Sequence, residues 1–212
     1  TPDEVALLRE GIEANLAAPS PRAKVASRPD DPGRFFEDFC NWQDIPQFER
    51  FTRETPLALA AQRLMQSPTV RLYHGHAAAK DPGARPPPPW PHDQACVDVG
   101  GAPNARVWIP VDPVPRPATL EFVAGSHLGP WLMPRTFMDN QAQWFPEGSL
   151  QDLPDIEADR SAHRILGWDI TPGDVVCFHM LTLPGAGGFE GPGRRRVFSV
   201  RFLGDDTRHA PR

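Results

Sequence analysis

The sequence predicts a mainly β fold, a jelly roll with flanking helices, and three observations carry that reading. Apolar positions recur at a helical period only in the first third of the chain. From Thr69 onward short alternating runs take over, bounded by turn residues. The chain also holds 27 prolines in 212 residues, more than double the usual share of roughly 5%, most of them where helices start or strands turn. Helices first and many short strands afterwards is the order of an antiparallel sandwich or jelly roll with its helices outside. A chain of this length can bury one sizeable core and nothing in its composition divides it, so one domain over 1–212 is expected. Within it, 1–68 reads as a mostly helical flank and 69–212 as the jelly-roll core, interrupted by an irregular excursion at about 129–168.

Thr1-Pro2-Asp3-Glu4 is a helix start: Thr1 is the N-cap, Pro2 the first helical residue, and Glu4 completes a capping box. Val5, Leu8, Ile12 and Leu16 then form one apolar stripe, and the helix ends near Ala18. The proline-rich, charged stretch 19–33 is a surface connection or a lid over a pocket. Phe35, Phe36, Phe39 and Trp42 lie at helical spacing, facing the core or walling a pocket. Two short helices follow at Pro46–Glu54 and Pro56–Gln66, each opened by a proline.

Val70, Leu72, His74 and His76 alternate with Arg71, Tyr73 and Gly75, which predicts a strand to about Lys80. His74 and His76 share one face of it, as two metal ligands would, but no third ligand stands at a supporting spacing, and hydrogen-bonded structural histidines are the simpler reading. Further strands are expected at Arg106–Val111, Thr119–Val123, Val175–Leu183 and Arg195–Leu203. On the last of these Arg195, Val197 and Ser199 point one way and Arg196, Phe198 and Val200 the other, so only one of the two arginines enters the barrel.

Charge and cysteine content exclude several function classes. A net charge of −5 without a basic stripe speaks against nucleic acid, and Arg194 to Arg196 is too short a run to supply one. Three widely spaced cysteines, Cys40, Cys96 and Cys177, form neither a disulfide framework nor a Cys-only zinc site, which fits a reducing, cytoplasmic setting. No apolar run approaches the roughly 18 residues of a membrane span. The expected partner is a small-molecule substrate or ligand.

Trp108-Ile109-Pro110-Val111-Asp112, Thr119 through His127, Pro172-Gly173-Asp174, Phe178-His179 and Arg194 through Asp206 together resemble the phytanoyl-CoA dioxygenase family of non-haem iron, 2-oxoglutarate-dependent oxygenases. The resemblance spans nearly the whole chain. It implies a double-stranded β-helix, Fe(II) and 2-oxoglutarate as cofactors, and hydroxylation of a small organic substrate. In that family a His-x-Asp pair and a later histidine hold the metal, and residues i and i+2 of a strand can grip one ion because they share a face.

Asp93 matches the family's carboxylate, but the residue two before it is Pro91 and the later histidine falls on Pro184. A proline ring nitrogen is tied into the backbone and offers no lone pair. His92 faces away from Asp93 on a regular strand and becomes a ligand only if a β-bulge turns it inward. His179 is opposite in parity to Pro184 on an extended strand, and His76 is a further candidate replacement. On the co-substrate side the resemblance implies that Lys80, Trp108 and Arg195 line the 2-oxoglutarate pocket, with Arg195 gripping the far carboxylate bidentately. From the residues alone, Arg194 to Arg196 is a solvated strand entry and Trp108 is core. Two functions follow: an oxygenase with two of three metal ligands replaced, or a non-catalytic small-anion-binding protein on the same fold. No catalytic side chain is assigned.

Overall fold

The computed structural model describes residues 1–27, 29–84, 90, 93, 97–135, 141–186 and 193–210. Its centre is a six-stranded antiparallel sheet in the order β1-β2-β3-β10-β5-β8, built from β1 (Lys24–Val25), β2 (Phe35–Phe39), β3 (Arg71–Lys80), β5 (Asn104–Pro110), β8 (Val176–Phe178) and β10 (Arg195–Leu203). A smaller antiparallel sheet, β7-β6-β9, comes from β6 (Leu120–Val123), β7 (Ile165–Leu166) and β9 (Pro184–Ala186). β4 (Val99–Gly100) and β11 (Arg208–His209) form a separate two-stranded ribbon.

Helix α1 (Pro2–Ala17) begins as its capping box predicts: the Thr1 hydroxyl accepts from the Glu4 amide and donates to the Glu4 carboxylate. Its buried stripe of Val5, Leu8 and Ile12 packs with α2 (Pro46–Glu54) and α3 (Leu57–Met65) onto one face of the large sheet. Gly11 sets the approach of α1 to α2, because a Cβ there would stand 2.7 Å from the Phe48 ring. Strand β10 supplies Phe198, Val200 and Phe202 to this layer, and Phe198 stacks on Phe48 at 4.4 Å and meets the edge of Phe51 at 6.2 Å. The opposite face of the large sheet meets the small sheet. Trp108, Val176 and Val197 join Val114, Ala118, Phe122 and Ile170 there, and the rings of Phe122 and Phe178 lie 4.7 Å apart.

The structure corrects two expected elements. Phe35 through Phe39 is strand β2, paired with β3 in the register Phe35↔Lys80 to Phe39↔His76, and not a helix. Both faces of this sheet are covered, so Phe35 and Phe36 are both buried and the apolar pattern no longer alternates; its period then imitates a helix. The expected single strand over 175–183 is two. β8 stops at Phe178, a turn closes with the Thr182 amide donating to the His179 carbonyl at 2.8 Å, and the chain enters β9 in the other sheet. The described residues of the excursion after β6 carry little regular structure. The excursion is anchored by Trp90, which is 1% exposed among Val123, Ile156 and Leu183 and donates to the Glu157 carboxylate at 2.9 Å.

Because fully buried Phe198 ties the central strand to Phe48 and Phe51 of α2, Phe198→Ala is expected to lower the unfolding free energy by about 3–5 kcal/mol, read from urea denaturation.

Candidate functional site

The alternation of β10 that sends Phe198, Val200 and Phe202 to the helices sends Arg195, Val197, Ser199 and Arg201 between the two sheets. Register then fixes their neighbours. Arg195 lies opposite Lys80, Val197 between Ala78 and Pro110, Ser199 between His76 and Trp108, and Arg201 between His74 and Arg106. Lys80 in turn pairs with Phe35, Ala78 with Glu37 and His76 with Phe39. The inner face of the large sheet is therefore a ladder with cations at each end and a carboxylate and imidazole between them.

At the Arg201 end the counter-charge is Asp93. The Nη1 of Arg106 donates to both its oxygens, at 2.9 and 2.8 Å, and Arg201 reaches Oδ2 through Nε at 3.2 Å and Nη2 at 3.1 Å. Burial would raise the Asp93 carboxyl, but the two guanidiniums outweigh it and hold it far below the usual carboxylate range. Each arginine is also held from behind: Arg106 Nε donates to Ser199 Oγ at 3.1 Å, and Arg201 Nη1 donates to His74 Nδ1 at 2.8 Å. His74 is neutral, since burial, reinforced by Arg201, pushes it down to about 3. A bulge at Tyr73, where the register shifts between Arg201↔His74 and Phe202↔Leu72, follows His74 and turns Leu72 to the helix side.

In the middle, His76 stacks on Phe39 at 4.6 Å with its Nε2 3.1 Å from the Glu37 carboxylate. Burial pushes this imidazole below its ordinary value, against the pull of Glu37. At the far end Lys80 and Arg195 are only 3% and 5% exposed and face each other. The Lys80 ammonium lies 4.4 Å from the centre of the Phe35 ring, and among the described residues no acceptor hydrogen-bonds it. Burial, with Arg195 adding to it and Glu37 opposing, pushes Lys80 from 10.5 down to about 7. Arg195 donates to the Ala118 carbonyl and lies 5.9 Å from the Trp108 ring centre; burial brings it down to about 10.

Lys80, Trp108 and Arg195, singled out from the sequence, thus come together. Asp93 sits at the other end of the same ladder, and His92 and Pro91 lie outside the described residues. Pro184 is in β9 opposite Phe122, on the small sheet. His179 is a turn residue, its Nε2 2.8 Å from the Ala102 carbonyl and its Nδ1 accepting from the Leu181 amide at 3.1 Å. Among the described residues no three His, Cys, Asp or Glu side chains gather as a metal site. Sequence reasoning missed Glu37, Arg106 and Arg201. Parity was the available signal: Arg201 shares the face of Arg195, and Arg106 that of Trp108.

Several solved structures share this architecture. The non-haem α-ketoglutarate-dependent carbocyclase SnoK from nogalamycin biosynthesis superposes with a TM-score of 0.77 at 22% identity, covering 99% of this chain and 78% of that one. The epimerase SnoN, solved in complex with Fe3+, α-ketoglutarate and nogalamycin RO, gives 0.75 at 19% identity over 99% of this chain and 77% of its own. AviO1 from Streptomyces viridochromogenes Tue57 gives 0.72 at 20% identity, covering 100% and 89%. At these identities the likeness establishes the fold, the double-stranded β-helix of mainly β oxygenases. No curated protein sequence matches the chain. The model of one family, Phytanoyl-CoA dioxygenase (PhyH), matches residues 1–197, and the chain belongs to that family.

Proposed function

We propose that this chain binds a small carboxylate-bearing anion of the 2-oxoglutarate kind between its two sheets, and does so without iron. The observation that carries the reading is the buried Lys80 ammonium set directly opposite the Arg195 guanidinium. Two like charges in register repel, and among the described residues the buried Lys80 ammonium has an aromatic face beside it but no hydrogen-bonding acceptor, a charge that is costly unless an anion answers it. An incoming carboxylate answers that charge: Arg195 offers a planar fork, Lys80 a point charge, and Trp108 and Phe35 give aromatic walls.

Iron does not fit the donors that the resemblance assigns to it. Pro184 and Pro91 have no lone pair to give, and both oxygens of Asp93 already accept from arginine. A single carboxylate so engaged is no chelate for ferrous iron. The competing reading, an oxygenase hydroxylating a small organic substrate, draws its support from family membership. Under it, 2-oxoglutarate would be consumed in an iron-dependent way.

The pH dependence separates a working Lys80 from a bystander. A bound carboxylate stabilises the ammonium and raises its pKa, so binding above about 7 takes up a proton. Titration calorimetry with 2-oxoglutarate and succinate in chelator is expected to show affinity that is level below that point and falls up to about tenfold per pH unit above it. Lys80→Met should weaken binding by at least about tenfold, the share of one charge-assisted contact. It should also raise the melting temperature at neutral pH, because an isolated buried ammonium is replaced by an apolar chain of similar length. Failure of both dicarboxylates to bind in chelator, or iron-dependent release of succinate from 2-oxoglutarate, would overturn the proposal.

A further inference from the structure

The carboxylate end of the ladder carries an inference that stands apart from the proposed anion site. We infer that the Arg106–Asp93–Arg201 clasp is a protein-borne substitute for a divalent cation. It occupies the carboxylate oxygens of Asp93, bars a metal from them, and holds Asp93 against the large sheet.

The two arginines lie opposite each other in strand register, which without a shared anion would set two guanidiniums in mutual repulsion. Asp93 lies between them, and the three side chains are only 12–14% exposed. Oδ1 accepts one bond from Arg106; Oδ2 accepts another from Arg106 and lies within 3.2 Å of Arg201 Nε and 3.1 Å of its Nη2. Neither arginine is free to withdraw. Ser199 Oγ holds Arg106 Nε, and the same hydroxyl donates to the Val107 carbonyl at 3.0 Å, so its own orientation is fixed. His74 Nδ1 holds Arg201, and Arg106 also lies 5.7 Å from the Phe178 ring centre.

Charge balance gives the same answer. Arg106 and Arg201 against Asp93 and the nearby Glu37 sum to zero, with the buried His74 neutral. A divalent ion at Asp93 would add two positive charges beside two fixed cations, in surroundings where screening by water is weak. A bound metal does for a carboxylate what the clasp does here: it neutralises the charge and fixes the direction of its oxygens. The clasp does so without an open coordination position, and so without a place for a second ligand.

Ligand replacement and clasp are therefore two independent locks, and restoring histidines alone is not enough to reopen the site. The test compares four proteins: wild type, Pro91→His/Pro184→His, the same pair with Arg106→Ala added, and Asp93→Asn. Metal binding is read by Mn(II) electron paramagnetic resonance and by anaerobic Fe(II) calorimetry. The double variant is expected to bind hardly better than wild type, and the triple variant at least about a hundredfold tighter than the double, because one fixed cation next to the metal is gone. Equal affinity of double and triple variants would overturn the inference, as would a folded triple variant that binds no better than wild type. Thermal melts supply an arm that needs no engineered histidine. The wild-type melting temperature should stay unchanged with Mn(II) or with chelator, whereas Asp93→Asn, which leaves two buried guanidiniums without their anion, should lower it or prevent folding. A wild-type melt that rises with Mn(II), or an Asp93→Asn protein as stable as wild type, would sink the clasp. Failure of dicarboxylate binding would leave these arms untouched.

Discussion

Strand β10 is paired along most of its length on both sides, with β3 and with β5, and the positions of the other functional side chains follow from that double pairing. A strand hydrogen-bonded on both edges can neither slip by one residue nor twist a side chain to the other face without losing two ladders at once. Its even residues Phe198, Val200 and Phe202 are thereby committed to the helix layer, and its odd residues Arg195, Ser199 and Arg201 to the space between the sheets. The hydrophobic side of this arrangement stabilises the strand; the polar side uses the rigidity that results. Long, flexible arginines can serve as positioned groups here because their backbone is the least mobile kind a sheet offers.

The two ends of the ladder differ in how their charge is answered. At Arg201 the protein supplies the anion, and backing contacts from Ser199 and His74 complete the arrangement. At Lys80 burial and a neighbouring guanidinium act on an ammonium whose closest partner is an aromatic face. Compensated charge makes a structural element, whereas burial and Arg195 lower the Lys80 ammonium to about 7 against the opposing pull of Glu37. Glu37 and His76 separate the ends, so a ligand carboxylate near Lys80 is not drawn into competition with Asp93 for the guanidiniums of Arg106 and Arg201.

Much of this was legible from local pattern. The capping box of α1, the proline opening α2, the shared face of His74 and His76 and the split of Arg195 from Arg196 are all short-range signals, and the structure has each of them. The alternation expected from Val70 to His76 is broken by the bulge at Tyr73, which leaves Val70 and Leu72 with the helix layer and sends His74 between the sheets. What was not legible depended on partners distant in sequence. Phe35 to Phe39 looks helical because it is covered on both faces, and only pairing with β3 makes it a strand. The turn at 179–182 is hidden because Val176–Phe178 and Pro184–Ala186 are each too short to carry a period. The clasp on Asp93 joins three residues spread over more than a hundred positions, one of which, Arg106, lies outside every motif. Parity offered the face on which Arg106 and Arg201 lie, but no local rule states that they meet one carboxylate.

Pro184 shows why the scaffold and a metal centre are separable. β9 is an edge strand of the small sheet, bonded to β6 on one side only among the described strands, and an edge is where proline costs a sheet least, because a missing amide can face outward. The neighbouring Gly185 is held for a different reason: a Cβ there would meet the Trp90 ring at 2.8 Å, and that ring joins the excursion to the small sheet. Neither residue contributes a lone pair, and both suit the packing around them. The cohesion of the two sheets rests on Trp108, Phe122, Phe178 and Val197, none of which needs an ion nearby. A metal in such a fold is bound by side chains that the core does not require. The guanidinium pair on Asp93 neutralises that carboxylate without help from an ion, and the packing between the sheets is complete in apolar side chains.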